Sequence, residues 1–391
     1  MMALLTALQS TFYGLLASTG LYALFIGLLT IPALTGPSHL PQPRNFDLVS
    51  RRQHTRAMGL SSKSSRAILS HYARRRVASC LAHPAARTIP AKPGCATSRA
   101  SGAGLRHQGA AKPRASPPRS LLASGAAGTL GSGWRPPSYR AMSANAPHRI
   151  HTLAIDYRGF GASSGHPSEE GLLTDAITLA EWAMEEAEIP PSRIVIFAQS
   201  MGTAVSLSLL HHMAAQPEPV LFSGAVLVAP FADVESLTAT YRLAGTIPLL
   251  GPVAKFPRLL AWLNTFIIAK WPSKAKLAEF VRRCEAMDQG SPRYDVTIIH
   301  AEDDYDIPWS HSEQLFWHAA NASMPGGIAF AELEREKMAS RVNNDAGGWT
   351  VERKTGRGVV REEIMKYGLH DRIMAYPVVS VVVMRAFQIV L

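Results

Sequence analysis

Cysteine is scarce, with three residues (Cys80, Cys95 and Cys284) in a chain of 391. Three cysteines supply neither a disulfide framework nor metal-ligating spacing, so a disulfide scaffold and a zinc module are excluded. Charge is missing from the first 43 residues, which contain no Asp, Glu, Lys or Arg. Acids are nearly missing from residues 44–150, where 19 Lys and Arg stand against one acid, Asp47. The whole chain carries 40 Lys+Arg and 29 Asp+Glu, so the remainder holds 21 basic and 28 acidic residues. The net charge of +11 therefore belongs to one segment of an otherwise mildly acidic protein. That segment lacks aromatic interleaving and any known binding module, and no nucleic-acid partner is expected.

The uncharged N-terminus holds "LLTALQSTFYGLLASTGLYALFIGLLTIPAL", longer than the roughly 20 residues a helix needs to cross a bilayer. A secretory signal would have a basic start and a shorter apolar core. The reading is one transmembrane helix, about Leu4–Leu29, within an anchor of residues 1–43. Arg51, Arg52 and Arg56 follow it, and the positive-inside rule puts that end in the cytosol. Residues 44–123 are rich in Ala, Arg, Ser, Pro and Gly ("SRASGAGLRHQGAAKPRASPPRSLLASGAAG"), and no β-branched run is long enough for a strand. Such a composition buries too little apolar surface to offset the entropy of ordering, so disorder is expected there.

From His148 onward apolar runs alternate with helical patterns. "RIHTLAIDY", "RIVIFA", "GAVLVAP" and "YDVTIIHA" read as strands. "SEEGLLTDAITLAEWAMEEAEI", with Ser168 as N-cap and Pro190–Pro191 as stop, and "GTAVSLSLLHHMAAQ" read as helices. Continuous rather than alternating apolar strands indicate a mostly parallel sheet covered on both faces, an α/β fold over residues 124–391. Between about 232 and 292 an apolar insertion with Trp262, Phe266 and Trp271 ends in the basic "WPSKAKLAEFVRR". It reads either as a helical lid or as plain core helices.

"RIVIFAQSMGTA" sets Ser200 between an apolar strand and a helix, flanked two residues away by Ala198 and Gly202. Small residues at those positions let a nucleophilic serine sit on a sharp strand-to-helix turn. The alternative is an ordinary N-cap serine. Partners should follow in the order acid, histidine. "IIHAEDDYDIPW" offers Asp303, Asp304 and Asp306; the form D-x-x-I-P favours Asp304 and leaves the other two as turn carboxylates. "VVREEIMKYGLHDRIMAYPVV" places His370 after a strand-like run and before a closing helix. In that assignment His370 takes the Ser200 proton, Asp304 orients the imidazole, and the Met201 backbone N–H is one of two oxyanion donors. No cofactor or metal is required.

"DYRGFGASSGHPSEEGLLTDA", "AQSMGTA", "HAEDDYDIPWSHSE" and "KYGLHD" together resemble the membrane-anchored ABHD-type serine lipases of the α/β-hydrolase superfamily, which act on monoacylglycerols and lysophospholipids. The resemblance runs from about Gly125 to the C-terminus. It implies an α/β-hydrolase fold and a triad at Ser200, Asp304 and His370. The family's oxyanion loop reads H-G-N-A-G-T; here the aligned stretch is "SGAAGT", which puts the second donor at the Ala126 backbone N–H. The family's preceding strand and its first strands have no counterpart in residues 45–123, so the sheet should lack an edge near "RIHTLAIDY". A retained intron or a frame error in the coding sequence produces this kind of switch near Ala123.

The resulting expectation is a single-pass membrane protein of the endoplasmic reticulum or another endomembrane, the side of its catalytic part left open. It would hydrolyse lipid esters and contact the membrane through its N-terminal helix and the lid. An acyl-protein thioesterase using the same triad is the first alternative; a truncated paralogue without activity is the second.

Overall fold

A computed structural model describes residues 119–124, 129–144, 150–243, 247–248, 253, 255–344 and 347–388. The expected transmembrane helix and nearly all of the basic segment lie outside these residues. No helix among the described residues is long and apolar enough to cross a membrane.

The strands are β1 (Arg119–Ser124), β2 (Ile150–Ala154), β3 (Ile194–Gln199), β4 (Gly224–Val228), β5 (Arg242–Leu243), β6 (Ile247–Pro248), β7 (Tyr294–Ala301), β8 (Val342–Asn343), β9 (Trp349–Lys354) and β10 (Gly358–Met365). Eight form one sheet in the order β2-β1-β3-β4-β7-β10-β9-β8, while β5 and β6 make a separate small hairpin. The six strands from β2 to β10 pair in parallel, and β9 and β8 close the far edge antiparallel. The mostly parallel α/β sheet expected from the apolar runs is present.

The helices are α1 (Arg135–Ser143), α2 (Glu169–Glu181), α3 (Met201–Ala214), α4 (Val234–Thr240), α5 (Pro257–Thr265), α6 (Ser273–Glu285), α7 (Ser310–Ala322), α8 (Phe330–Ser340), α9 (Leu369–Arg372) and α10 (Pro377–Ala386). Ser168 caps α2 by accepting the Gly171 N–H at 3.1 Å. The strand period of two sorts β3 cleanly. Ile194, Ile196 and Ala198 face a core with Leu172, Leu207, Leu277 and Leu315 from α2, α3, α6 and α7. Val195 and Phe197 face the other core, with Met142 of α1 and Val379, Val382 and Val383 of α10. Each fully buried aliphatic side chain contributes about 1.5–3 kcal/mol, so the centre of the sheet is its most firmly held part.

Two expectations are corrected. A strand does precede residues 125–128. Residues 119–123, read as the end of a strandless segment, form β1 together with Ser124, paired with β2 through Leu121–Thr152 and with β3 through Leu121–Val195. Two partners give "RSLLAS" a strand conformation that its composition alone did not suggest. Among the described residues no strand lies beyond β2, so "RIHTLAIDY" does supply an edge. The second correction concerns the span 232–292. Its last helix, α6, is a core helix with Leu277, Phe280, Val281 and Cys284 buried, whereas the excursion before it exposes Phe256, Leu259, Trp262, Phe266 and Ile268. The excursion returns where Glu169 Oε2 accepts the backbone N–H groups of Lys270 (3.1 Å) and Trp271 (3.2 Å).

Candidate active site

β3 ends at Gln199 and α3 begins at Met201, leaving Ser200 alone on the turn with φ 54° and ψ −127°. A side chain at positive φ is strained, and such strain persists only where the surroundings enforce it. Here the Ser200 N–H donates to the Val228 carbonyl at 3.0 Å, and the Thr203 hydroxyl donates to the Ser200 carbonyl at 2.6 Å. Ala198 is fully buried and Gly202 is buried, so the one extra methyl group at 198 is accommodated beneath the turn. Met201 is the first residue of α3, where a backbone N–H has no intrahelical acceptor and the helix dipole favours negative charge.

The three residues singled out from the sequence meet at this point. Ser200 Oγ lies 2.9 Å from His370 Nε2, and His370 Nδ1 lies 2.8 Å from Asp304 Oδ2. They come from the ends of β3 and β7 and from α9, along one edge of the sheet. The Asp304 carboxylate is buried and fully used: Oδ1 accepts the N–H groups of Asp306 (3.0 Å) and Ile307 (2.9 Å). Burial works against its charge, but hydrogen bonds from His300 and His370 outweigh that and hold the carboxyl well below the usual range. Burial likewise works against a charged His370, yet the bond to Asp304 and its negative charge raise the imidazole above its ordinary value. The arrangement therefore pairs a hydroxyl with a strengthened base whose tautomer is set by a carboxylate.

The rival acids have other duties. Asp303 Oδ1 accepts the N–H groups of Gly368 (2.8 Å) and Leu369 (2.9 Å), fastening the backbone that carries His370. Asp306 is half-buried; burial, with Asp304 and Asp371 nearby, raises its pKa. Gln199 adds a bond from Nε2 to the His370 carbonyl at 3.1 Å. Neither Asp303 nor Gln199 was recognised from the sequence as holding the histidine. An acid adjacent to the candidate acid was the one available signal.

Ala126, the expected second oxyanion donor, lies outside the described residues. The backbone just after it is tied down. Asp156 accepts the Leu130 N–H at 2.8 Å through Oδ1 and the Ala162 N–H at 3.2 Å through Oδ2. Gly161, at φ +54°, must be glycine here, since a Cβ would lie 2.2 Å from the Asp156 carboxylate.

A cavity of about 210 Å³ lies beneath α5, lined by Val234, Ala261, Asn264 and Lys270 among others, and no triad residue borders it. The outer face of this excursion exposes Phe256, Leu259, Trp262, Phe266 and Ile268. Among the described residues no cluster of His, Cys, Asp and Glu is arranged to hold a metal.

The Hydrolase_4 family, described as serine aminopeptidase, S33, matches residues 141–300, a span that contains Ser200. The chain is 33% identical over 189 residues to the human protein ABHD12B, covering 48% of this chain and 45% of that one. It is 27% identical over 214 residues to lysophosphatidylserine lipase ABHD12 of Danio rerio, covering 55% and 50%. The chain thus spans about half the length of these curated relatives. Among solved structures, an alpha-beta hydrolase from Vibrio vulnificus aligns with a TM-score of 0.40 at 20% identity, over 69% of this chain and 71% of that one. The sheet order, the strand–serine–helix turn and the sequence matches agree: the chain has an α/β-hydrolase fold and resembles the ABHD-type serine lipases.

Proposed function

We propose that the chain is a membrane-anchored serine hydrolase that cleaves lipid esters of the monoacylglycerol or lysophospholipid type through Ser200, His370 and Asp304. One observation carries this reading, the unbroken hydrogen-bonded series from Ser200 Oγ through His370 to Asp304. In the first half-reaction Ser200 Oγ bonds to the ester carbonyl carbon while its proton passes to His370 Nε2. The carbonyl oxygen becomes an oxyanion, for which the Met201 N–H is one donor and the Ala126 N–H the proposed second. The tetrahedral species collapses as His370 returns the proton to the leaving alcohol oxygen. Water, deprotonated by the same nitrogen, then releases the fatty acid and restores Ser200. Asp304 keeps its negative charge throughout and stabilises the imidazolium.

Lipid rather than soluble ester is supported by the outer face of the excursion. Its exposed aromatic and aliphatic residues sit among Lys255, Arg258 and Lys270, and residues 236–278 contain no Asp or Glu. An apolar face with a cationic surround suits an anionic lipid surface. The ABHD12 relative supports a lysophospholipid as the first substrate to test. The test is fatty-acid release from lysophosphatidylserine and from a monoacylglycerol, each in vesicles, by purified protein. Turnover that vanishes in Ser200→Ala supports the reading. Turnover of a palmitoyl-thioester peptide alone would replace it with a thioesterase, and turnover of none of the three would overturn it.

A further inference from the structure

One buried side chain at the site takes no part in the mechanism above. His300, on β7, is fully buried (0% exposed). Its Nε2 lies 2.9 Å from the Ile307 carbonyl oxygen and 3.2 Å from Asp304 Oδ2, and its Nδ1 lies 2.7 Å from Ser312 Oγ on α7. A carbonyl oxygen only accepts, so Nε2 carries a proton, which is shared between that carbonyl and the carboxylate. In the neutral ring, Nδ1 accepts the Ser312 hydroxyl proton.

Two imidazoles therefore converge on one carboxylate oxygen, with His300 on one side of Asp304 Oδ2 and His370 on the other. The opposite oxygen is held by two backbone N–H groups. A carboxylate can normally rotate about its terminal bond with little resistance. Here backbone donors fix one oxygen, and His300, itself locked by Ser312, fixes the other. A histidine serving only the core could be satisfied by Ile307 and Ser312; the approach to Asp304 is what links this one to the chemistry.

We propose that His300 is a positioning residue that, with Ser312, sets the plane of the Asp304 carboxylate so that Oδ2 faces His370. The inference rests on the assignment of Ser200, Asp304 and His370 above. The titratable groups around His300 are Asp304 on its own turn, His311 from α7, and His370 beyond Asp304. His311 stays neutral, because its Nδ1 accepts the Ala232 N–H at 3.2 Å.

The experiment compares wild type, His300→Leu, His300→Gln, Ser312→Ala and Ser200→Ala by fatty-acid release from about pH 5.5 to about pH 9. Circular dichroism and thermal melting report folding. His300→Leu should lower kcat roughly 10- to 100-fold, the worth of one hydrogen bond to a charged group, and leave KM within about twofold. It should also move the acid limb of kcat/KM to higher pH, because a carboxylate that loses a donor holds the His370 imidazolium more tightly. His300→Gln, with an amide N–H of comparable reach, should recover most of kcat and the original limb. Ser312→Ala should lower kcat by about three- to tenfold, and it decides the matter should His300→Leu fail to fold. A folded His300→Leu with wild-type kcat and pH profile overturns the inference, as does a glutamine variant no better than leucine. Ser200→Ala separates the two levels. If it is inactive while His300→Leu, or Ser312→Ala where leucine fails to fold, matches wild type, only the role of His300 falls. If Ser200→Ala is fully active, the triad assignment falls first.

Discussion

β3 and β2 both run parallel to β1, one on each side, yet all six residues of β3 are buried whereas in β2 only Ile150 is. The contrast extends to the candidate site. The acid–base half hangs from β3, β7 and α9, where Asp304, Gln199 and His300 are buried and each side chain has partners. The proposed oxyanion donor Ala126 follows β1, the strand next to the open edge at β2. A catalytic group is only as well placed as the elements that carry it. One half of the site is thus enforced by the core, while the proposed other half adjoins β1, next to the edge strand β2, and the backbone held by Asp156.

Changes in the buried half should cost most. Asp304→Asn keeps the shape but stabilises the wrong imidazole tautomer, so kcat should fall on the order of 10⁴-fold. Steady-state kinetics with a soluble ester checks this, and a loss below tenfold would mean that Asp303 or Asp306 substitutes for it. His311 gives the next effect, on stability. It is buried, its Nε2 lies 2.7 Å from Thr240 Oγ1, and burial, with His300 nearby, pushes its pKa down from 6.5 to about 4. The unfolded chain therefore takes up a proton before the folded one. The stabilisation is complete above about pH 6.5 and is lost as pH falls toward 4, by on the order of 3 kcal/mol. Urea unfolding from pH 7.5 to pH 4 measures this, and His311→Gln should flatten the slope.

The β1–β2 side should respond more weakly. Asp156→Ala releases the Leu130 and Ala162 N–H groups and loosens the backbone that follows Ala126, the proposed second oxyanion donor, so kcat should drop about tenfold, with the Ser200–His370–Asp304 series intact. A loss as large as that of Asp304→Asn would erase the distinction between the halves. The smallest effect belongs to the edge itself. His151→Lys places a charge on the exposed edge strand and should reduce concentration-dependent aggregation in light scattering, while changing stability by no more than about 0.5 kcal/mol.

The same contrast explains what could be read from the sequence. β3, β4 and β7 announce themselves because strands covered on both faces become unbroken apolar runs, and Ser200 because a strand, small residues and a helix follow in order. β1 escaped notice because "RSLLAS" is short, stands among Arg, Ser and Ala, and becomes a strand through its two neighbours. Whether residues 273–285 would cover the site or fill the core could not be decided from an apolar stripe alone; packing against α3 and α7 makes α6 a core helix. Asp303, Gln199 and His300 were passed over for a different reason. Their roles depend on α9 or on the turn after β7, and Gln199 meets its partner 171 residues away in the chain. Spacing along a sequence carries no trace of such contacts.

The central claim is that Ser200 is an activated nucleophile in the chain as it stands. It is tested most directly by a fluorophosphonate probe, with the modified residue identified by mass spectrometry. The account predicts a single adduct on Ser200, absent from Ser200→Ala and strongly slowed in Asp304→Asn. A folded protein that leaves Ser200 unmodified, or one labelled equally well at another serine in Ser200→Ala, would contradict it.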